Sequence, residues 1–430
     1  MTSTYAAGPS AAAPPREVSP HRRRRHHAFG FWAAAIAFLV NMAFSAVPTP
    51  LYVLYQRRDH FSTVTITIVY AVYAVGVIGS LFLGGHVSDW VGRKRIFVPA
   101  LLVNVASAVI FLVAPSLAGL IIARIVSGIS VGLTTATATA YLAELHIGMS
   151  TGRGEYDGRR AQIVATAANL GGIGVGPLAA GVLAQYAPHP LQVVYIVFAV
   201  VLAVLAILVA FSPETAEAVV PAPDWRPQRI AVPSAARRQF AAATAAGIAS
   251  FAVFGVFNSL APSFLAGTLH NSSHAMAGAV AFAAFASGAL IQIALGKAAL
   301  AKTLRLGPVL LLPGLALFAI GMWIPSLAAF ILGGIVTGAG AGLVFRGALV
   351  AAGATAPPEA RAEVLAGFFL GAYVGLSVPV IGLGVATQYV SARAAMLVFV
   401  VIVAIATVAS TRAVQAEITR RRSASTSSPS

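Results

Sequence analysis

Residues 84–95, which read GGHVSDWVGRKR, lie between two long apolar segments. An apolar segment of about 20 residues is long enough to cross the hydrocarbon core of a bilayer as a helix. Glycine allows a sharp turn at this point, and charged side chains avoid the hydrocarbon. We therefore interpret residues 84–95 as a turn between two transmembrane helices.

The composition of the whole chain is that of a membrane protein. The chain has 430 residues, of which 58% are hydrophobic and 9% are charged, whereas an ordinary soluble protein is about 25% charged. Cysteine is absent, which excludes a disulfide framework, a thiolate metal site and a cysteine nucleophile. The net charge of +16 is concentrated between apolar segments and at the termini. This placement favours contact with anionic lipid and argues against nucleic acid as a partner.

The apolar pattern predicts an all-α integral membrane protein, because backbone groups in lipid must form their hydrogen bonds within a helix. Twelve spans are predicted, at residues 29–52, 63–85, 96–114, 117–142, 161–185, 190–211, 238–266, 275–297, 305–323, 326–350, 363–387 and 392–411.

The distribution of arginine and lysine predicts the orientation. The loops after even-numbered spans are basic, whereas the loops around residues 114–116, 186–190 and 324–326 carry no arginine or lysine. Arg57 and Arg58 in the first loop, and Arg393 in the last, are exceptions. Because basic loops stay on the cytoplasmic side, we expect a multi-pass protein of the plasma membrane with both termini in the cytoplasm.

The chain divides into two halves that echo each other. Glycines at 128 and 132 in the fourth span match glycines at 338 and 342 in the tenth, as expected for a transporter built from internal repeats. The predicted organisation is a disordered basic tail at 1–27, a six-helix bundle at 28–211, a cytoplasmic linker at 212–237, a second six-helix bundle at 238–412 and a disordered tail at 413–430.

The turn carries a recognisable pattern, Gly85-x-Val-Ser-Asp-x-x-Gly-Arg-Lys. This pattern resembles the loop 2–3 signature of the major facilitator superfamily of secondary transporters. The resemblance implies two pseudo-symmetric six-helix bundles, a small-molecule substrate, alternating access and a monomer. It also implies a conformational latch, formed by Gly85, Asp89, Gly92, Arg93 and Lys94. Trp90 departs from the pattern, since the family usually has a basic residue there. Two alternatives are a generic cytoplasmic hairpin and an Asp89 that only caps a helix.

Two further spans carry patterns of the same family. Arg124-x-x-x-Gly128-x-x-x-Gly132 resembles the family's helix 4 motif, which has been linked to proton transfer. An arginine at membrane depth is costly and usually faces a cavity or a partner, although this side chain could instead reach the outer interface.

The fifth span resembles the helix 5 motif of drug:proton antiporters and implies export. The motif residues are Gly172, Gly176, Pro177 and Gly181, with Ala180 in place of one glycine. Ordinary close packing of small residues is the alternative interpretation.

Polar and aromatic residues near the middle of the spans are candidates for the substrate cavity. They are Asn41, Tyr73, Asn169, Asn258, Gln292, Arg346 and Tyr373, with Tyr70 and Phe254 beside them. A few amides and aromatic rings in an apolar chamber suit an amphipathic molecule better than a sugar. Arg346 is expected to hold either an anionic substrate group or a carbonyl of the eleventh helix.

The favoured hypothesis is an exporter of small amphipathic or hydrophobic compounds that uses the proton gradient and no bound cofactor or metal. The alternative is an uptake or uniport carrier for a small organic anion or a sugar-like solute. No predicted span has a carboxylate or histidine at mid-depth, which leaves Asp59 and Asp89 as candidates for proton coupling. An integral-membrane enzyme is not supported, because no catalytic constellation or phosphate-binding loop is present.

Overall fold

The computed structural model describes residues 20–150, 158–216, 225–228, 232–357 and 360–426. Within these ranges, twelve helices are long and apolar enough to cross a membrane, so the predicted number of spans is confirmed. In chain order they are α1 Pro20–Ala46, α2 Thr63–Gly84, α3 Arg93–Val113, α4 Leu117–Ser150, α5 Arg159–Tyr186, α6 Pro190–Ala210, α7 Arg237–Ser259, α8 His274–Ala294, α9 Leu300–Trp323, α10 Leu327–Gly353, α11 Arg361–Ala386 and α12 Ala392–Thr426.

Local chemistry explains several helix boundaries. The hydroxyl of Ser62 accepts a hydrogen bond from the backbone N–H of Thr65 and caps α2. Ser273 and Ser326 cap α8 and α10 in the same way. These caps satisfy backbone donors that the first turn of a helix leaves free.

Both terminal helices are longer than predicted. Residues 20–27 belong to α1 and residues 413–426 belong to α12, so the predicted disordered tails are wrong for these segments. Arginine and alanine are good helix formers, and a helix that leaves the membrane continues until a breaking residue stops it. The remainder of the predicted tails, at 1–19 and 427–430, lies outside the described residues.

The helices run alternately between two faces of the protein. We call the face with residues 84–95 the basic face, and it also holds both ends of the described chain. The opposite face, with residues 114–116, 187–189 and 324–326, is called the far face. Between them, large apolar side chains point outward, for example Val113, Val200, Leu290, Ile402 and Ile405. An apolar belt of this kind is a surface for lipid.

The packing of the first six helices is repeated in the last six. α4 packs against α1, α2 and α3, and α10 packs in the same way against α7, α8 and α9. Gly128 lies against Gly76 of α2, because a methyl group added to Gly128 would lie 3.0 Å from the Cα of Gly76. Gly342 lies against Gly288 of α8 in the same way, and a methyl group added to Gly342 would lie 2.7 Å from the Cα of Gly288. The glycine repeat therefore marks equivalent helix contacts in the two halves.

The two halves meet along two helix pairs. α2 packs against α11, and α5 packs against α8. These pairs are equivalent under the repeat, because α2 and α8 are each the second helix of their half and α5 and α11 are each the fifth. The surfaces between the halves are therefore the place where a transport pathway is expected.

Candidate functional site

The basic turn after α2 is held by Arg93. Its guanidinium forms ion pairs with Asp89 and with Glu144 of α4, the second at 3.0 Å, and it donates to the hydroxyl of Ser88 at 2.9 Å. The arrangement connects the turn to the basic end of α4.

The start of α3 is capped by a residue that sequence analysis did not select. The carboxylate of Glu214, just beyond α6, accepts hydrogen bonds from the backbone N–H groups of Lys94 and Arg95 at 3.2 and 3.3 Å. A carboxylate at a helix N-terminus satisfies free donors and the helix dipole. Gly92 adopts a φ of +124° beside it, which a residue with a side chain rarely adopts. The signal in the sequence was the Pro213-Glu214-Thr215 break at the end of the sixth span.

Lys94 and the linker also bind the first half. The ammonium of Lys94 donates to the carbonyls of Ala210 and Ser212 at 3.2 and 2.9 Å. In the described part of the linker, the indole of Trp225 donates to the carbonyl of Leu83 at 3.1 Å. Residues 217–224 and 229–231 of the predicted linker lie outside the described residues.

Polar contacts between the halves lie on the far face and at mid-depth. At mid-depth the hydroxyl of Ser377 in α11 donates to the carbonyl of Ala71 in α2 at 3.3 Å. The hydroxyl of Thr49, just after α1, lies 2.7 Å from the carbonyl and 2.9 Å from the side-chain oxygen of Asn258 at the end of α7. The backbone N–H of His274 donates to the side chain of Gln185 at 3.0 Å. Asn258 therefore takes part in closing the far face. Between described residues on the basic face, no hydrogen bond or ion pair joins the halves, and the Asp89 side chain is 56% exposed.

α5 touches both halves through the residues of its motif. A methyl group on Gly176 would come 3.0 Å from the Cα of Ala43 in α1, and one on Gly181 would come 3.3 Å from the Cα of Gly278 in α8. Gly278 in turn lies against the carbonyl of Pro177. Small residues on two faces thus let one helix lie at backbone distance from two neighbours.

Further from the far face, α5 contains one π-helical turn at Ala167–Gly171. This turn contains Asn169, a predicted cavity residue that is partly exposed. Such turns interrupt the regular hydrogen-bond ladder and are frequent at functional sites.

Arg124 lies deep in the first half. Its side chain is 1% exposed, which excludes the interpretation that it reaches the outer interface. It donates to the carbonyls of Ser45 at 2.5 Å and of Tyr70 at 3.2 Å. Its guanidinium carbon lies 4.5 Å from the ring centre of Tyr73 and 5.6 Å from that of Tyr70. No carboxylate of the described residues forms an ion pair with it.

Asn41 is not a cavity residue, contrary to the prediction. It is fully buried, and its side chain donates to Thr134 at 3.0 Å and accepts from Asn104 at 2.9 Å and from Ser130 at 3.2 Å. These partners belong to α3 and α4. A buried amide whose groups are satisfied in this way fixes the packing of three helices.

Arg346 also differs from its predicted role. Its guanidinium donates to the carbonyls of Leu295 and Gly296 at the end of α8, and not to α11. A cation at a helix C-terminus satisfies free carbonyls and the helix dipole. The backbone carbonyl of Gln292 lies at the edge of this contact, 3.5 Å from Arg346.

Aromatic rings form a continuous surface from α2 to the second half. We call Tyr73, Tyr373, Phe251, Phe345 and Phe369 the aromatic wall. The rings of Tyr73 and Tyr373 are 6.4 Å apart, Tyr373 and Phe251 5.7 Å, Phe251 and Phe345 4.9 Å, and Phe345 and Phe369 6.2 Å. The three phenylalanines are partly exposed, whereas the two tyrosines are buried. Of the five, Phe345 and Phe369 lie nearest the basic face along their helices.

Titratable acids lie at the ends of the spans. The described ones are Asp59, Asp89, Glu144, Glu214, Glu363 and Glu417. Asp59 is held by Arg58 through two hydrogen bonds of 2.7 Å. No carboxylate or imidazole of the described residues lies at the middle of a span.

Twelve membrane-length helices in two equivalent halves, closed on one face and joined by glycine-rich helices, define a secondary transporter. The sequence profile of the Major Facilitator Superfamily matches residues 33–312, more than half of the chain. The protein belongs to this superfamily, which indicates a membrane-embedded transporter of a small molecule rather than an enzyme.

Solved structures agree on the fold. A point mutant of the nucleoside transporter NupG gives a TM-score of 0.69 at 15% identity, covering 90% of this chain and 99% of that one. A bacterial homologue of the human lysosomal transporter Spinster, in an inward-facing and unoccupied conformation, gives 0.67 at 15% identity, covering 91% and 98%. No curated protein sequence matches the chain.

Proposed function

We propose that this transporter exports small amphipathic or hydrophobic compounds in exchange for protons. The observation that carries the proposal is α5, whose Gly176 and Gly181 contact α1 and α8 at backbone distance. The motif resembles that of drug:proton antiporters, and its Gly181 lies at a junction of the two halves. Movement of one half against the other must change the Gly181–Gly278 contact, whereas the Gly176–Ala43 contact lies within the first half.

In the proposed cycle the basic face is cytoplasmic, because basic loops stay on that side. The conformation described here, joined on the far face, then faces inward and is ready to load a compound from the cytoplasm. Opening to the outside requires the Thr49–Asn258 and Gln185–His274 contacts to break.

We assign the latch role to the basic turn. In the inward-facing conformation its bonds remain within the first half, and Asp89 is exposed. α11, which packs against α2, begins at Arg361 without a side-chain cap. Closure of the basic face brings this helix start toward Asp89, where a carboxylate is stabilised by free N–H groups and by arginine. The latch thus favours the outward-facing state.

Proton exchange requires a group that binds a proton on one face and releases it on the other. With no mid-depth acid among the described residues, Asp59 on the far face and Asp89 on the basic face are the proposed groups. They lie on opposite faces of the first half, where Asp59 pairs with Arg58 and Asp89 pairs with Arg93.

Collapsing the pH gradient tests the proposal directly. In cells that overexpress the chain, export of a hydrophobic fluorescent dye should stop when nigericin removes the gradient, since the driving force is then lost. The measurement is the rate of dye loss from preloaded cells. A matched strain with the vector alone corrects for passive leak. Export that continues at the same rate after collapse would contradict proton exchange.

A further inference from the structure

We infer that Arg124 binds an anionic head group of the transported compound and that the aromatic wall holds its ring system. The substrate class is therefore small aromatic acids. The inference deepens the proposed function and depends on it only in taking the space between the halves as the transport route.

The first observation is a buried charge without a counter-charge. Arg124 is 1% exposed and forms no ion pair with the described residues. Arginine keeps its charge in proteins, and an unpaired charge at membrane depth is costly. The free-energy cost of burying the Arg124 charge can be offset by an anion that binds beside the guanidinium during transport.

The second observation is unused hydrogen-bonding capacity. A guanidinium has five N–H donors in a planar fork, and here it has two carbonyl acceptors, from Ser45 and Tyr70. Its Nε is buried and has no partner. A buried donor without an acceptor costs free energy, and a carboxylate can accept from Nε and a neighbouring nitrogen at once.

Arg346 provides the contrast within the same protein. Its fork donates to carbonyls at the end of α8, so its charge is compensated by the helix terminus. Arg124 donates to the carbonyl of Ser45, which also lies near a helix end, and to that of Tyr70 inside α2. Unlike Arg346, which is partly exposed, Arg124 is 1% exposed and keeps a buried Nε without a partner. The two arginines therefore differ in the hydrogen-bonding capacity that remains for an anion.

The third observation is the path between Arg124 and the basic face. Arg124 lies about 10 Å along α4 from its far end, and Phe345 lies about 27 Å along α10 from its far end. The aromatic wall spans this difference in depth. Tyr73 contacts both Arg124 and Tyr373, so it separates the cation from the open side of the wall.

A molecule that enters from the basic face thus meets the partly exposed Phe345 and Phe369 first. When the α2–α11 contact changes, the Tyr73 ring can move aside and the head group reaches Arg124. Aromatic rings stack on such a wall with favourable geometry, whereas a sugar would find too few polar groups, and a cation would be repelled by Arg124.

Equilibrium binding of two matched probes tests the inference. The probes are 1-naphthoate and 1-naphthamide, which share one ring system and differ in the charge of the head group. Calorimetric titration of the full-length protein in lipid nanodiscs should give about 10- to 100-fold tighter binding of the acid, the usual effect of a charged hydrogen bond. Arg124→Gln should remove this preference and leave the affinity for the amide unchanged.

Three further variants separate binding from structure. Arg346→Gln should preserve the acid-to-amide ratio, and Phe345→Ala should weaken both probes equally. Arg124→Lys keeps a charge but lacks the planar guanidinium, so its acid-to-amide affinity ratio should lie below that of the unmodified protein. This variant keeps the test decisive even if Arg124→Gln does not fold.

Equal affinity of the unmodified protein for both probes, no binding of the acid, or an unchanged acid-to-amide ratio in the Arg124 variants would overturn the inference. Because the assay uses no gradient and no direction of transport, its outcome is independent of the export test.

Discussion

Replacing Gly128 with alanine should lower the thermal midpoint of the protein by about 2–12 °C. An added methyl group would lie 2.9 Å from the backbone nitrogen of Val77 and 3.0 Å from the Cα of Gly76. Both are backbone atoms of α2, so α2 and α4 must separate. Overpacking of this kind costs about 1–3 kcal/mol, and each kcal/mol lowers the midpoint by about 2–4 °C in a domain of this size.

The measurement is the unfolding midpoint of the purified protein in detergent. Gly79→Ala is the matched control, because Gly79 lies on α2 and an added methyl group there would have no atom within 4 Å. Alanine is also the better helix former, so this variant should match or slightly exceed the original midpoint. Equal midpoints for the two variants would mean that α2 and α4 do not pack at backbone distance.

Replacing Asp89 with asparagine should reduce transport about 30-fold while leaving membrane insertion intact. In the proposed latch, the carboxylate stabilises the outward-facing state by about 2 kcal/mol through charged hydrogen bonds. Loss of this stabilisation lowers the population of that state by about 30-fold. In the conformation described here Asp89 pairs only with Arg93 of the same turn among the described residues, so folding should be little affected.

Initial rates of export at equal protein levels are the appropriate measurement. Glu417→Gln is the matched control, because Glu417 also lies toward the basic face and pairs with a neighbour in its own helix, Arg420, at 3.1 Å. Surface pairs of this type contribute little, and the variant should transport normally. Full activity of Asp89→Asn would remove the latch from the mechanism.

The sequence predicts the architecture well because the architecture follows from local properties. Span length, the sidedness of basic loops and the glycine repeat are each readable along the chain, and the structure has the twelve helices and the equivalent helix contacts. The start of α1 was predicted at residue 29 and the end of α12 at residue 411, but these helices begin at Pro20 and end at Thr426. Hydropathy shows where a span leaves the lipid and not where the helix ends.

The site was less predictable because it depends on partners that are distant in sequence. Asn41 and Arg346 were selected for being polar at membrane depth, and only the structure shows that Asn41 is satisfied by α3 and α4 and Arg346 by the end of α8. Glu214 was not selected from the sequence, and only the structure shows that it caps α3. Arg124 was selected as an arginine at membrane depth, and only the structure shows that it is buried without an acidic partner among the described residues.

Cysteine labelling from outside the cell tests which face of the protein is extracellular. The proposed transport mechanism depends on this orientation of the twelve spans. The native chain has no cysteine, so single substitutions report without background. Ser116→Cys on the far face and Lys297→Cys on the basic face are both at exposed positions. In intact cells a membrane-impermeant maleimide should label Ser116→Cys alone, and after permeabilisation it should label both. Labelling of Lys297→Cys in intact cells would place the basic face outside and contradict inward loading, the latch and export together.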